Sequence, residues 1–166
     1  MVPSLRATLV AVGIVGADQL SKLVASGWTP SSALGSPTGR AGILSIVPVD
    51  NGGVIGGIGV ERPDLLPALE VLALMLLLAL SRRLTKGSSL GAALALAGAT
   101  GNLIDRMRVG HVIDFLAIDL GPVQVILNLA DVALFVGLPM LVLADKGAKR
   151  HSSSNRVGQD LRGWQT

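Results

Sequence analysis

The chain of 166 residues has no cysteine and no tyrosine, only 2% aromatic residues, and only 15% charged residues. Each shortage excludes something. Without cysteine there is no disulfide framework, no thiolate zinc site and no cysteine nucleophile. With so few aromatics, an interfacial Trp/Tyr belt is nearly missing. No Lys/Arg run interleaved with aromatics is present, so nucleic-acid binding has little support. A soluble domain is usually about 25% charged, and half of this chain is hydrophobic. The abundant residues are Gly and Ala alongside Leu, which suits close helix–helix contact through small side chains.

The apolar residues are clustered. Four segments are expected to be helices, at about 5–24, 65–81, 88–105 and 123–143. A spanning helix needs roughly 20 apolar residues, and in lipid each backbone must satisfy its own hydrogen bonds, so helices are the natural reading. The fourth segment is the cleanest; Pro139 within it is tolerable in a membrane helix and is a place for a kink. The expected fold class is therefore an all-α membrane protein of four transmembrane helices, with a small extracytoplasmic β-like cap and loop. Residues 1–147 form one integral membrane domain, with extracytoplasmic segments at about 25–64 and 106–122. Ala41 to Val49 alternates enough for short strands. The basic, Ser-rich stretch 148–166 reads as a disordered cytoplasmic tail.

Placing both termini inside puts nine cations on cytoplasmic segments (Arg6, Arg82, Arg83, Lys86, Lys146, Lys149, Arg150, Arg156, Arg162) and five outside (Lys22, Arg40, Arg62, Arg106, Arg108). The positive-inside rule favours that orientation. A cleavable signal peptide competes for the first segment. Asp18 and Lys22 interrupt its apolar core toward the cleavage site, which favours an uncleaved helix.

The polar residues inside apolar segments are the candidates for function, because acids in lipid are costly and find partners. Asp18 and Lys22, four apart, share a helix face; a local ion pair and a site-ordering pair explain them equally well. Asn102, Asp105 and Arg106 share a face at the outer end of the third segment. The plain reading is a helix-end cluster, with Arg106 complementing the dipole and pairing to Asp105. Asn128 and Asp131 are three apart on the fourth segment, and Asp114 lies just upstream in His111-Val-Ile-Asp114-Phe. Two acids and an amide at one membrane depth have no structural need, and two close carboxyls suit a dyad sharing one proton and activating water. Glu70 has no partner in its own segment and is expected at an interface or facing the lumen. The Gly-rich stretch from Asn51 to Gly59 lacks the Lys-Ser/Thr of a phosphate cradle, so it reads as a loop approaching a substrate backbone. There is no His-Glu-x-x-His, and Ser88 and Ser89 lie on the side away from His111, so zinc protease and Ser/His chemistry lack support.

Five motifs stand in order: Asp18-Gln-Leu-Ser-Lys22, Asn51-x-Gly53, Gly98-Ala-Thr-Gly-Asn102-Leu-Ile-Asp105-Arg106, His111-Val-Ile-Asp114-Phe and Asn128-Leu-Ala-Asp131. With four apolar segments, their order and spacing resemble the lipoprotein signal peptidases (signal peptidase II). The resemblance covers roughly 5–143. It implies a multi-pass aspartic endopeptidase of the bacterial inner membrane, working near the outer leaflet. Its substrate would be a prolipoprotein, cut before a diacylglyceryl-modified cysteine. By the same resemblance Asp114 and Asp131 are the catalytic dyad. Asp18, Lys22, Asn51, Gly53, Asn102, Asp105, Arg106 and Asn128 support the site or hold substrate. No metal or cofactor is called for, the partners are the lipidated substrate and membrane lipid, and a monomer is expected. Ile55 and Gly56 stand where the family usually has Ala and Phe, and Leu127 where it usually has Phe; these changes bear on how the loop packs and on substrate preference. Two other classes compete. A small proton-coupled transporter would spread acids through the membrane depth. A non-catalytic lipoprotein-binding paralogue would not need both acids.

Overall fold

The structure is a computed structural model, and it describes residues 4–27, 43–53, 65–84 and 89–144. The departures at Ile55 and Gly56 and the basic tail lie outside these residues. The first helix, α1 (Leu5–Ser26), starts at Ser4, whose hydroxyl accepts from the Ala7 N–H, and ends at Gly27. Ser4 thereby satisfies one of the orphan donors of the first turn. Then come β1 (Leu44–Asn51), α2 (Leu66–Leu84), α3 (Ser89–Val109), β2 (Val112–Asp119), β3 (Gln124–Leu127) and the apolar helix α4 (Leu129–Ala144). Pro67 sits in the first turn of α2, where its missing N–H costs nothing.

Helix α3 is the centre of the helical part. It packs against both α1 and α2, and its buried face is Ala92, Ala93, Ala95 and Ala97. Those small residues let neighbouring backbones come close. At Gly98 a Cβ would press on the Ala130 carbonyl oxygen and on Leu134 Cγ, so α3 and α4 touch there backbone to backbone. Helix α3 stops at Gly110, whose φ of 85° is left-handed and whose N–H returns to the Arg106 carbonyl at 3.1 Å. Only glycine adopts this helix ending without strain. Two residues later the chain is already β2.

The three strands form one antiparallel sheet in the order β1-β2-β3. Ile46 pairs with Leu116 and Val49 with Asp114, so β1 uses three steps where β2 uses two. The extra residue is a bulge at Val47-Pro48, a place where a proline costs no ladder hydrogen bond. The central strand β2 is buried from Val112 through Phe115, and this carries Asp114 into the interior.

The outer surface inverts the ordinary pattern. Helix α1 exposes Leu5, Leu9, Val12, Leu20, Leu23 and Val24 while burying Asp18 and Lys22. Helix α2 exposes Leu69, Leu72, Met75 and Leu76, and α4 exposes Phe135, Val136 and Leu143. Apolar faces of this extent match hydrocarbon rather than water. By length and composition, Leu5–Ser26 is able to cross a membrane.

Two expectations are corrected. The fourth segment is not helical from 123: Gln124–Leu127 is a strand, and the helix begins at Leu129. The stretch Gln124-Val-Ile-Leu, with β-branched Val125 and Ile126, pairs with β2 in register, Ala117 against Ile126 and Ile118 against Val125, and that pairing overrides the apolar-run reading. The third helix, expected to end at about 105, runs on to Val109, and the segment that follows carries the full strand β2. The fold is thus helical with a small antiparallel sheet, and the sheet is larger than a β-like cap at 41–49.

Candidate active site

The site is built where the N-terminus of α4 meets α1, α3 and β2. Asn128 is the N-cap of α4. Its Oδ1 accepts from the Asp131 N–H at 2.9 Å, and the Asp131 carboxyl accepts from the Asn128 N–H at 3.3 Å. This reciprocal pair is a capping box in Asn/Asp form. Another first-turn donor, the Ala130 N–H, goes to Asp18 Oδ1 at 2.9 Å. The helix start is therefore tied to α1 by a carboxylate, and the Asp131 carboxyl is held by the Asn128 backbone N–H.

Asp114 approaches from β2. Asn128 Nδ2 donates to its Oδ1 at 2.6 Å, and Asn51 Nδ2, from the end of β1, donates to its Oδ2 at 2.9 Å. Asn51 is itself held, since its Oδ1 accepts from the Gly53 N–H at 3.0 Å. On the other side, Asn102 Nδ2 donates to Asp131 Oδ1 at 2.8 Å, and Asn102 Oδ1 accepts from Asn128 Nδ2 at 3.1 Å. Asp114 and Asp131 are thus joined through two amides, Asn102 and Asn128. Among the described residues neither acid is paired with a cation. Burial pushes the Asp114 carboxyl up to about 6, and the nearby Asp131 charge adds to the rise. The hydrogen bonds from Asn51 and Asn128 and the Lys22 charge pull the other way without cancelling it.

A second polar cluster adjoins the first. Lys22, fully buried, reaches Asp18 Oδ2 at 2.8 Å, Asp105 Oδ2 at 2.6 Å and Asn102 Oδ1 at 3.2 Å. Three ammonium protons meet three acceptors. Asp105 Oδ2 also accepts from the Ile113 N–H at the start of β2. The ion pair at Asp18–Lys22 is real, and Asp105 makes it a triad. The expected Asp105–Arg106 pair does not form. Successive residues on a helix point about 100° apart, so Asp105 turns to α1 while Arg106 turns to α2.

Arg106 instead pairs with Glu70 and donates to the Gly53 carbonyl. Glu70, without a partner in its own segment, finds one on another helix. The structure therefore brings Asp18, Lys22, Asn51, Gly53, Asn102, Asp105, Arg106, Asp114, Asn128 and Asp131 into one connected network. Sequence reasoning missed two members: Glu70, and Gln19, which donates to Asp105 Oδ1 at 2.9 Å and to the Gly101 carbonyl at 3.2 Å. The available signal was the same for both, a polar side chain in an apolar helix. A cavity of about 240 Å³ opens between α2, α3 and α4, apolar except for Glu70 and Asn102. Among the described residues no cluster of His, Cys, Asp or Glu has a metal-binding arrangement.

Helices with apolar exteriors around an inward-facing two-carboxyl centre define a membrane enzyme. The backbone superimposes on a bacterial membrane enzyme solved by the in meso method at 2.3 Å, with a TM-score of 0.69, 26% identity and 90% of each chain covered. The family model for signal peptidase (SPase) II matches residues 10–145. The lipoprotein signal peptidase of Moorella thermoacetica is 34% identical over 80% of this chain and 87% of its own. That of Dehalococcoides mccartyi is 36% identical over 76% and 80%. The chain belongs to the signal peptidase II family, a family of membrane proteases.

Proposed function

We propose that this protein is a four-pass aspartic endopeptidase of the bacterial inner membrane. It removes the signal peptide from prolipoproteins, cutting before the diacylglyceryl-modified cysteine. The observation that carries the chemistry is the pairing of Asp114 and Asp131 across Asn102 and Asn128, with amides as their side-chain donors. Membership of the signal peptidase II family supplies the substrate class. The apolar exteriors of α2 and α4 support spans beyond α1. The excess of cations on cytoplasmic segments supports both termini inside, with the site near the outer leaflet.

Two neighbouring carboxyls share one proton, because ionising both in a buried site is costly. The ionised carboxyl takes a proton from water, and the hydroxide attacks the scissile carbonyl carbon. The protonated carboxyl donates to the carbonyl oxygen as it gains charge. The tetrahedral intermediate then collapses, the C–N bond breaks, and the proton taken from water passes to the leaving amine. The pair titrates as a unit, so the two roles belong to the pair. Asn128 and Asn102 hold the carboxyls at fixed angles throughout, and the Asn51 turn faces the substrate backbone.

The test is cleavage of a lipidated prolipoprotein by purified protein. Asp114→Asn and Asp131→Asn are each expected to lower kcat by about 10²–10⁴-fold, the usual worth of acid–base catalysis. Near-normal cleavage by either variant overturns the dyad. A non-catalytic paralogue would show none with the unaltered chain.

A further inference from the structure

Glu70 is the one acid in the network that neither contacts Asp114 or Asp131 nor belongs to the Lys22 triad. It stands on α2 among exposed Leu69, Val71 and Leu72, where an apolar residue would pack without the cost of a charge. Its Oε1 pairs with Arg106, and its Oε2 and Arg106 Nε find no partner among the described residues. The alignment of the guanidinium on the α2 side thus depends on a single contact. Arg106 donates with its other terminal nitrogen to the Gly53 carbonyl. The Gly53 N–H holds Asn51 Oδ1, and Asn51 Nδ2 holds Asp114 Oδ2. A continuous run of hydrogen bonds therefore leads from α2 to the Asp114 carboxyl.

We propose that Glu70 is a positioning residue for the Asp114–Asp131 centre, acting through Arg106 and the Asn51–Gly53 turn. The inference rests on the dyad reading given above. Without Glu70, Arg106 is free to leave the Gly53 carbonyl, and Asn51 loses the turn that aims its amide. Asp114 then keeps Asn128 as a donor, with Asp131 on α4 and Lys22 on α1 as its charged neighbours. Loss of the Asn51 bond removes an interaction that favours the carboxylate, so the shared proton is held to higher pH.

The experiment is steady-state cleavage of a lipidated prolipoprotein across pH by Glu70→Leu, Glu70→Gln, Arg106→Met and the Glu70→Leu/Arg106→Met double variant, with unfolding temperature followed in parallel. Glu70→Leu is expected to lower kcat by about 10- to 100-fold with KM within about twofold, as misplacement remote from the chemistry does. Its alkaline limb moves to higher pH. Glu70→Gln, which keeps an acceptor for Arg106, recovers most of the loss. In the Arg106→Met background Glu70→Leu costs nothing further, since the path is already cut. If Glu70→Leu does not fold, Glu70→Asp, one methylene shorter, is expected to show the same limb shift with a smaller loss. A folded Glu70→Leu (or Glu70→Asp in its place) with unaltered kcat and pH profile overturns the role, and so does an additive loss in the double variant. Asp114→Asn runs alongside: if it cleaves normally the dyad has failed, whereas an inactive Asp114→Asn beside an unaltered Glu70 variant removes only Glu70.

Discussion

Two polar clusters share Asn102 and have opposite electrostatics. Around Lys22, two carboxylates and an amide oxygen meet three ammonium protons, and every charge has a partner. Around Asp114 and Asp131, the side-chain donors are the amides of Asn51, Asn102 and Asn128. The first cluster pairs every one of its charges and locks α1 to α3. In the proposed mechanism the second leaves its charge to be settled by a shared proton. The difference separates a polar group that holds a fold from one that reacts: a cation satisfies a carboxylate permanently, while an amide orients it and leaves it able to exchange a proton.

Dyad substitution gives the largest expected effect. Asp114→Asn and Asp131→Asn are each expected to lower kcat by about 10²–10⁴-fold, as set out above, yet leave the Lys22 cluster whole. The opposite break is Lys22→Met, which strands Asp18 and Asp105 in the interior. It is expected to cost about 3–5 kcal/mol, the usual consequence of removing one partner of a buried pair. Reversible unfolding in detergent checks this, and adding Asp18→Asn and Asp105→Asn to Lys22→Met restores part of the loss. Asn128→Ala comes next: about 0.5–2 kcal/mol from the lost N-cap, together with a fall in kcat because Asp114 loses its 2.6 Å donor. The same unfolding and cleavage assays read both.

The pH response sharpens the contrast further. Asp114 is raised to about 6 in the folded protein, above the ordinary carboxylate range near 4. Between those values the folded state binds more protons than the unfolded one, so this group's contribution to stability falls as pH rises through that window. Asp114→Asn removes the group and is expected to raise the unfolding temperature near neutrality relative to the unaltered protein, a gain that disappears below pH about 4. A lower unfolding temperature at neutral pH contradicts this account. For kcat/KM, the alkaline limb is expected to begin near 6, where the pair loses its shared proton. The smallest effect belongs to the half-exposed His111–Asp50 contact at 3.1 Å. His111→Gln is expected to change stability by less than about 1 kcal/mol, as exposed pairs do.

Much of this was legible in the chain. Asp18–Lys22 followed from four-residue spacing, and Asn128–Asp131 from three-residue spacing. The strand β1 followed from alternation within 41–49. The capping box was also within reach, because Asn-x-x-Asp has its spacing, but an apolar run beginning at 123 hid the helix start. β3 escaped because the short apolar run Val125-Ile-Leu127 looks the same in a strand and in a buried helix. Arg106 was assigned to its chain neighbour Asp105, and Glu70 to no one, because a pattern along one helix says nothing of which helix stands beside it.

The sequence by itself determined the class of solvent, the polar residues that hydrocarbon cannot accept, and the local pairs within one or two helical turns. These follow from composition and from fixed helical periodicity. Tertiary structure alone decided that Lys22 serves Asp105 as well as Asp18, that Arg106 joins Glu70 to the Gly53 carbonyl, and that Asp114 meets Asn51 and Asn128 at once. Each of these joins residues on different elements. Their meeting depends on how closely Gly98 lets α4 approach and on the register in which β2 lies between its neighbours.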